Sequence, residues 1–348
     1  MSTPTPNWAD LLTSLVARRD LDASETGWAM AQIMAGEASP SVLGGFLIGL
    51  AAKGETVGEL LGLADAMTAA AIPLNVPGRT VDIVGTGGDR HRSVNISTMA
   101  ALVIAGAGLV VVKHGDRAAS SASGAAEVLE ALGLNLDLSP TRVGDVALEA
   151  GITFAFAKTF HPSMRFAGPT RSELGIATAF NVLGPLTNPA RPGASAIGVA
   201  NARVAPLMAG VFAERGTSVV AYRSQDGLDE WATTAPANVW EVRDGEVVEH
   251  LIDAREAFGM SSATLDDLRG GDAAFNAQVV RETLAGQQGP IRDAVVIGAA
   301  AAIVADGTLV PPGEFIDRMR SGIRLAQESI DSGGASAALT RWIAASNR

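Results

Sequence analysis

Apolar residues recur at helical spacing from Trp8 to about Ala70, as in Leu11, Leu12 and Leu15. Apolar positions three and four residues apart place one apolar stripe on the face of a helix. Polar breaks at residues 22–24 and 39–40 divide the segment into separate helices. The pattern therefore predicts a small all-helical domain over residues 1–72, with part of residues 162–190 as a candidate addition.

Three glycines, Gly44, Gly45 and Gly49, fall within one of these helices. Glycine weakens a helix, so three of them indicate that another helix approaches closely. The neighbour lies either inside the monomer, which is the more common situation, or across a subunit interface.

The pattern changes after a turn-rich connection at residues 73–78, where short β-branched runs begin to alternate with helical segments. Such alternation indicates βαβ units and a mainly parallel sheet flanked by helices, in a large α/β domain over residues 78–348. Asp244-Gly245 marks a hairpin turn, and helical spacing returns from Thr264 and closes with a stretch from Phe315 to Ile343. The predicted parallel strands are 81–84, 109–112, 152–156, 195–199 and 218–222, and those of the hairpin are 239–243 and 246–250.

The first strand runs into a glycine loop, VDIVGTGGDRHRSVNIST, over residues 81–98. Gly85, Gly87 and Gly88 allow the backbone to approach a ligand, and Asn95, Ser97 and Thr98 supply cap chemistry for the helix that follows. Free N–H groups at a helix N-terminus favour phosphate. The loop matches neither GxGxxG nor a P-loop, and Asp89 would repel a bare phosphate. A phosphorylated sugar with a divalent metal fits this combination better than a dinucleotide.

A second loop follows strand 109–112, and an acidic turn follows strand 218–222. The loop offers Lys113 as a point charge and Arg117 as a planar fork for pyrophosphate. The acidic turn carries Asp229 and Glu230, and Mg²⁺ commonly takes one or two carboxylates together with substrate phosphates. The histidines are not spaced as zinc ligands. Each of these loops could also be a turn that binds no ligand. However, all of them follow the carboxyl ends of predicted parallel strands, and ligands of parallel sheets bind at that edge.

Charge and composition narrow the class of protein further. The formal net charge of −11 over 348 residues disfavours a nucleic-acid partner, because binding the phosphate backbone requires a basic face. There is no cysteine, and no apolar run reaches the ~20 residues needed to cross a bilayer. The N-terminal residues lack a signal-peptide pattern, so we expect a cytoplasmic protein without a membrane partner.

Taken in order, the motifs resemble those of the anthranilate phosphoribosyltransferases of tryptophan biosynthesis. They are MAGEASP at 34–40, GTGGD at 85–89, NIST at 95–98, KHGDRAASS at 113–121, RSELG and FNVLGPLTNPA across 171–190, and GLDE at 227–230. The resemblance covers nearly the whole chain. It implies a helical domain, an α/β domain and a homodimer joined through the helical domains. It also implies transfer of a 5-phosphoribosyl group from phosphoribosyl pyrophosphate to the amino group of anthranilate, with Mg²⁺ as cofactor.

The resemblance also implies residue roles. Ser97, Asp229 and Glu230 match the magnesium ligands, Arg171 matches the partner of the anthranilate carboxylate, and Lys113 is the candidate catalytic residue. The positions that match the phosphoribosyl pyrophosphate site are Gly85, Gly88, Asp89, Ser93, Asn95, Ile96, Ser97, Thr98, Lys113, His114, Gly115, Asp116, Arg117, Ala118, Ala119, Ser120 and Ser121.

Asp116 departs from the family pattern, which usually has Asn at this position. Like charges ~4 Å apart repel by ~4 kcal/mol at an effective dielectric of ~20, before screening. Three explanations are open: Arg117 or the metal offsets the charge, Asp116 is protonated, or the acceptor is not anthranilate. The alternatives for the function are a pentosyltransferase of the pyrimidine nucleoside phosphorylase type and an inactive relative that binds another ligand.

Overall fold

The computed structural model describes residues 5–117 and 123–348. The chain forms two compact units. Unit 1 contains the described residues up to Ile72 together with Lys158–Pro189, and unit 2 contains Pro73–Ala157 and Ala190–Arg348. None of the helices in the described ranges is long and apolar enough to cross a membrane.

The bounds of the α-helices and strands are as follows. The helices are α1 (Trp8–Val16), α2 (Ala23–Ala35), α3 (Pro40–Lys53), α4 (Val57–Ala69), α5 (Ile96–Gly106), α6 (Ala125–Leu132), α7 (Pro140–Ala150), α8 (Ala157–Phe160), α9 (Gly168–Leu174), α10 (Phe180–Leu183), α11 (Val204–Glu214), α12 (Ala254–Phe258), α13 (Ala273–Leu284), α14 (Pro290–Asp306), α15 (Phe315–Asp331) and α16 (Gly334–Ser346). The strands are β1 (Val81–Gly85), β2 (Val111–Gly115), β3 (Ile152–Phe156), β4 (Ala194–Gly198), β5 (Ser218–Ser224), β6 (Ala237–Arg243) and β7 (Glu246–Ile252).

Unit 1 is helical, and local sequence sets where its helices begin. In α2 and α4, Asp22 and Thr56 cap the helix N-terminus, and a glutamate three residues later returns a hydrogen bond in a capping box. One of these glutamates, Glu59, is fully buried, and it accepts hydrogen bonds from the Leu21 backbone (2.9 Å) and from Lys53 Nζ (2.9 Å). These partners satisfy a carboxylate that would otherwise be costly to bury.

The glycines of α3 lie against other parts of the same unit. A Cβ on Gly45 would lie 3.5 Å from Leu12 Cδ2, and one on Gly49 would lie 3.0 Å from Leu15 Cβ. Their absence of a side chain therefore allows α1 to pack on α3 within the monomer, which is the first of the two interpretations of this pattern.

Unit 2 is built on one seven-stranded sheet with the order β3-β2-β1-β4-β5-β6-β7. Strands β1 to β5 are parallel, and β6 and β7 add an antiparallel hairpin at one edge. The hairpin turns at Asp244-Gly245, where both residues have positive φ (52° and 79°), as a type I′ turn requires. The predicted α/β class with a mainly parallel sheet is confirmed. Buried helices α5 and α14 cover the sheet, and Gly298 lets α14 approach Ile83 and Ala100.

The strand predicted at 109–112 begins later, at Val111, and ends at Gly115. Gly108 has a φ of 104°, and this left-handed turn after α5 delays the start of the strand. The register with β3 pairs Val111 with Ile152 and Gly115 with Phe156. Lys113 and His114 therefore belong to a buried strand and not to the loop that follows it.

Candidate active site

The glycine loop after β1 brings the backbone against the acidic turn after β5. Gly87 and Gly88 have φ values of 70° and 85°, which glycine adopts without strain. The Gly87 N–H donates to Asp229 Oδ2 over 2.7 Å. A Cβ on Gly85 would overlap with the same carboxylate oxygen, so Gly85 is required for this close approach. The glycines thus let the loop backbone approach Asp229, and its approach to a ligand stays a prediction.

The N-terminus of α5 points its first N–H groups toward the same acidic turn. Ser97 N donates to Glu230 Oε1 over 3.3 Å. Asn95 occupies the N-cap position, but its side chain does not cap the helix. Its amide instead donates to Ser123 O (3.3 Å) and accepts from Asn276 Nδ2 (2.9 Å). The prediction that this side chain caps the helix is therefore wrong, because tertiary partners engage both ends of the amide.

Two neighbours in this segment, Ile96 and Thr98, are fully buried. Their side chains pack in the core, so they can reach a ligand through the backbone alone. Ser93 forms an isolated bridge with Arg269, which holds the end of the glycine loop against the segment before α13.

Lys113 extends from β2 toward the start of α5. Its side chain is buried, and Nζ donates to Ile83 O (2.7 Å) and to Ser97 Oγ (3.2 Å). Burial lowers the pKa of Lys113, while the charges of Asp82 and Glu230 oppose that change. His114 lies next to it in the same buried strand, and its backbone N–H donates to Asp82 Oδ1 over 3.2 Å. Lys113 is therefore a buried cation beside the predicted metal ligands.

Asp229 and Glu230 are both buried, with exposed fractions of 8% and 7%. Burial raises the pKa of Asp229 to about 7, and the nearby charge of Asp89 adds to the shift. Burial, followed by the charge of Asp229, raises the pKa of Glu230 well above its usual range. Crowded, desolvated carboxylates are unfavourable unless a cation lies between them.

This donor set fits Mg²⁺. Two carboxylates and the Ser97 hydroxyl are oxygen ligands, and Mg²⁺ completes its octahedron with water and substrate phosphates. Among the residues that the structure describes, no group of three or more His, Asp and Glu side chains is arranged to hold a metal by itself. The arrangement therefore suits a metal that arrives with a phosphorylated substrate.

The end of the second loop is exposed. Asp116 Oδ1 accepts from the Arg117 backbone N–H over 2.8 Å. The Arg117 guanidinium, predicted as a fork for pyrophosphate, donates to both oxygens of Glu130 (2.9 and 2.7 Å) and lies over the ring of Phe156. It would have to leave Glu130 to bind a substrate. The predicted residues Ala118, Ala119, Ser120 and Ser121 lie outside the described residues.

Arg171 lies in α9 of unit 1. Its guanidinium stacks on the ring of Phe180, with Cζ 4.9 Å from the centroid. Burial lowers the pKa of Arg171, and no carboxylate in the described part of the chain pairs with it. A half-buried guanidinium without an acidic partner is suited to binding an external carboxylate.

The sequence analysis missed four basic residues at the carboxyl edge of the sheet. Arg90, His91 and Arg92 follow Asp89 directly, and Arg223 lies at the end of β5. The run of three basic residues in an acidic chain was the signal that could have identified them. Arg223 carried no such signal, because only the fold brings it to this edge.

Comparison with known proteins agrees with this geometry. Residues 9–71 match the family model described as "Glycosyl transferase family, helical bundle domain", and residues 77–336 match the model described as "Glycosyl transferase family, a/b domain". These matches define a glycosyl transferase built from a helical domain and an α/β domain.

Individual relatives narrow the class. The chain is 56% identical over 97% of its length to an anthranilate phosphoribosyltransferase of Arthrobacter sp. (strain FB24), covering 95% of that protein. It is 53% identical to that of Streptomyces griseus, with full coverage of both chains. The crystal structure of the Thermus thermophilus enzyme superposes with a TM-score of 0.89 at 39% identity, over 97% of this chain and 100% of that one. The chain belongs to the anthranilate phosphoribosyltransferase family.

A more distant structure is that of the Saccharomyces cerevisiae enzyme in complex with PRPP and Mg. It superposes with a TM-score of 0.86 at 25% identity and covers 98% of both chains.

Proposed function

We propose that the protein transfers the 5-phosphoribosyl group of phosphoribosyl pyrophosphate to the amino group of anthranilate, a step of tryptophan biosynthesis. The observation that carries the proposal is the convergence of Asp229 and Glu230 with the glycine loop, the α5 N-terminus and Lys113. In the transfer, the bond from the ribose C1 to pyrophosphate breaks, a bond from C1 to the amine nitrogen forms, and the nitrogen loses a proton to solvent.

The site of unit 2 holds the phosphoribosyl donor. Ser97, Asp229 and Glu230 would hold Mg²⁺, which neutralises negative charge on the departing pyrophosphate when it is bound. The yeast relative in complex with PRPP and Mg supports the use of Mg²⁺ with this substrate. Backbone N–H groups of the glycine loop and of α5 add hydrogen bonds that need no reorganisation during the reaction.

Lys113 contributes a positive charge that is fixed before substrate binds. Its ammonium group is held by Ile83 O and Ser97 Oγ, so it stays beside the hydroxyl that we assign to the metal. A cation in a desolvated site stabilises developing negative charge more strongly than a cation in water. We infer that Lys113 stabilises the leaving pyrophosphate and orients Ser97. Positioning of the amine against the ribose carbon supplies much of the rate.

Arg171 supplies the recognition of the acceptor. Its planar guanidinium can bind the anthranilate carboxylate through two parallel hydrogen bonds, while Phe180 holds the plane of the guanidinium. Arg171 thereby distinguishes anthranilate from aromatic amines that lack a carboxylate.

We also infer a cytoplasmic homodimer joined through unit 1. Val16 in α1 and Ile48 in α3 are 86% and 46% exposed, although α1 and α3 pack on one another through Leu12 and Leu15. Large apolar side chains exposed on adjacent helices are typical of a subunit interface. The inference is tested by measuring the molar mass of wild type and of Val16→Asp in solution by light scattering. We expect a dimeric wild type and a monomeric variant, and a monomeric wild type would contradict the inference.

The test of the function is a turnover assay. The protein is mixed with anthranilate, phosphoribosyl pyrophosphate and Mg²⁺, and the loss of anthranilate fluorescence is followed. We expect loss that requires all three components. Phosphorolysis of uridine or thymidine without anthranilate use would establish a nucleoside phosphorylase instead. Inactivity in both assays would indicate a relative that binds another ligand.

A further inference from the structure

Two basic side chains from different elements, His91 and Arg223, converge on Gly227, which directly precedes Leu228, Asp229 and Glu230. His91 Nε2 and Arg223 Nη2 lie 3.7 and 3.8 Å from the position that a Gly227 Cβ would occupy. Gly227 has a φ of 94°, so the turn requires glycine and leaves the space between the two groups open. We call His91 and Arg223, with the flanking Arg90 and Arg92, the cationic cluster.

Within the described part of the chain, the cluster has spare hydrogen-bonding capacity. Arg223 donates from Nε to Ala200 O over 2.9 Å, and no carboxylate pairs with its two terminal nitrogens. Arg90 and Arg92 are exposed and form no ion pair with a described residue. Elsewhere in unit 2 arginines commonly bind carboxylates, as Arg79 binds Asp306 and Arg318 binds Glu241.

Two carboxylates, Asp89 and Asp226, lie near the cluster, and Asp89 Oδ1 accepts from the His91 backbone N–H over 3.2 Å. Asp226 Oδ1 accepts from the Leu228 backbone N–H over 3.2 Å. Asp226 is thus bound within its own turn, and two carboxylates face the three arginines of the cluster. The net field at this point favours an anion.

The anion is defined by what surrounds the cluster. The cluster and the carboxylates Asp229 and Glu230 belong to the same two segments, the glycine loop and the turn after β5. A ligand that spans both needs oxygens for a divalent cation and further negative oxygens for guanidinium groups. Phosphoryl groups have this chemistry, since arginine binds them through paired N–H donors.

We propose that His91 and Arg223, flanked by Arg90 and Arg92, form an additional phosphoryl-binding subsite beside the metal carboxylates. The inference rests on the proposed function, because it assigns the subsite to a phosphoryl group of phosphoribosyl pyrophosphate. That substrate has two sources of this chemistry, the pyrophosphate and the 5-phosphate. Magnesium pyrophosphate and ribose 5-phosphate are separate probes for them.

The experiment measures binding of each probe by calorimetry to wild type, Arg223→Gln and His91→Gln. Losing a charge-assisted contact weakens binding by roughly tenfold or more, so Arg223→Gln should weaken at least one probe about tenfold. His91→Gln should weaken the same probe several-fold, and Arg223→Lys should fall between wild type and Arg223→Gln.

Arg191→Gln is the matched control. Like Arg90 and Arg92, Arg191 is an exposed arginine with positive φ (49°), but it precedes β4 and lies at the opposite edge of the sheet. The control removes the same charge and should change neither binding constant more than about twofold. Unfolding midpoints of all variants establish that each one folds.

The outcomes separate the inference from the proposed function. Weakened pyrophosphate binding assigns the subsite to the pyrophosphate, and weakened ribose 5-phosphate binding assigns it to the 5-phosphate. If Arg223→Gln and His91→Gln bind each probe as tightly as wild type does, the inference is overturned, even if the protein uses anthranilate. Arg223-dependent binding in a protein that does not use anthranilate supports the subsite and rejects the proposed acceptor. In an active protein, Arg223→Gln should raise the KM for phosphoribosyl pyrophosphate without changing that for anthranilate.

Discussion

At the scale of single residues, Arg171 gives the sharpest separation between the two substrates. Arg171→Ala should raise the KM for anthranilate tenfold to a hundredfold, because a charge-assisted contact contributes about 1.5–3 kcal/mol. The KM for phosphoribosyl pyrophosphate should stay nearly constant. Arg165→Ala is the control, since Arg165 also lies in unit 1 and stacks on a phenylalanine, Phe166. Equal losses for both substrates would mean that Arg171 orders the protein and does not bind the acceptor.

Asp116 tests whether the departure from the family pattern limits anthranilate use. Asp116→Asn removes a negative charge and restores an amide donor at nearly constant volume. Because Asp116 is exposed, solvent screens its repulsion, and we expect kcat/KM for anthranilate to rise by only about threefold to tenfold. Asp116→Ala removes the charge without the donor and separates the two effects. Lower activity in both variants would show that the carboxylate has a positive role.

At the scale of elements, the contact between β1 and the acidic turn after β5 depends on Gly85. Gly85→Ala would push the Asp229 carboxylate away, since the added Cβ overlaps with Oδ2. We expect the Mg²⁺ concentration for half-maximal activity to rise at least tenfold. Gly58→Ala is the control, because α4 has open space there and alanine should stabilise a helix by about 0.5–1 kcal/mol. An unchanged Mg²⁺ requirement in Gly85→Ala would separate this contact from metal binding.

Local patterns predicted most elements, and tertiary contacts explain the exceptions. The helical spacing, the strand alternation and the Asp244-Gly245 turn are properties of short segments, so the sequence is sufficient for them. The later start of β2 depends on its register with β3. The Asn95 side chain does not cap α5 because it bonds Ser123 and Asn276 instead. Lys113 was identified by residue type. Its burial inside a strand was not predictable, because its partner Ile83 O lies on a neighbouring strand.

For the site, too, local sequence predicted some features and tertiary contacts decided the others. Motifs fixed which residues were candidates, and parallel strands predicted that their loops share one edge. Arg223 could not be identified from the sequence, because it stands alone there and meets His91 only through the fold. The engagement of Arg117 by Glu130, thirteen residues away, likewise requires the geometry of the loop before α6.

At the scale of the whole molecule, His161 predicts a pH-dependent stability. Burial lowers the pKa of His161 to about 4, and its usual value is about 6.5. The unfolded chain therefore binds a proton between these values that the folded chain excludes. The contribution of His161 to the free energy of unfolding is fully present above pH 6.5. It falls by roughly 3 kcal/mol as the pH decreases toward 4.

His161→Gln checks this prediction by denaturant unfolding at several pH values between 7 and 4. Trp8 and Trp28, whose rings lie 5.1 Å apart in unit 1, provide a local fluorescence signal. The variant should lose the part of the pH slope that arises from His161, whatever its stability at pH 7. Parallel pH profiles for wild type and variant would assign the slope to other groups.

The most direct test concerns the buried carboxylate pair and its metal. Binding of phosphoribosyl pyrophosphate is measured by calorimetry with and without Mg²⁺, for wild type and for Asp229→Asn combined with Glu230→Gln. Wild type should bind much more tightly with Mg²⁺, and the double variant should bind weakly and equally in both conditions. Because the amides replace two crowded carboxyl groups whose charged forms are disfavoured by burial, the ligand-free variant should unfold at the same or a higher temperature than wild type. An unchanged Mg²⁺ dependence in the folded double variant would contradict the assignment of Asp229 and Glu230 as metal ligands.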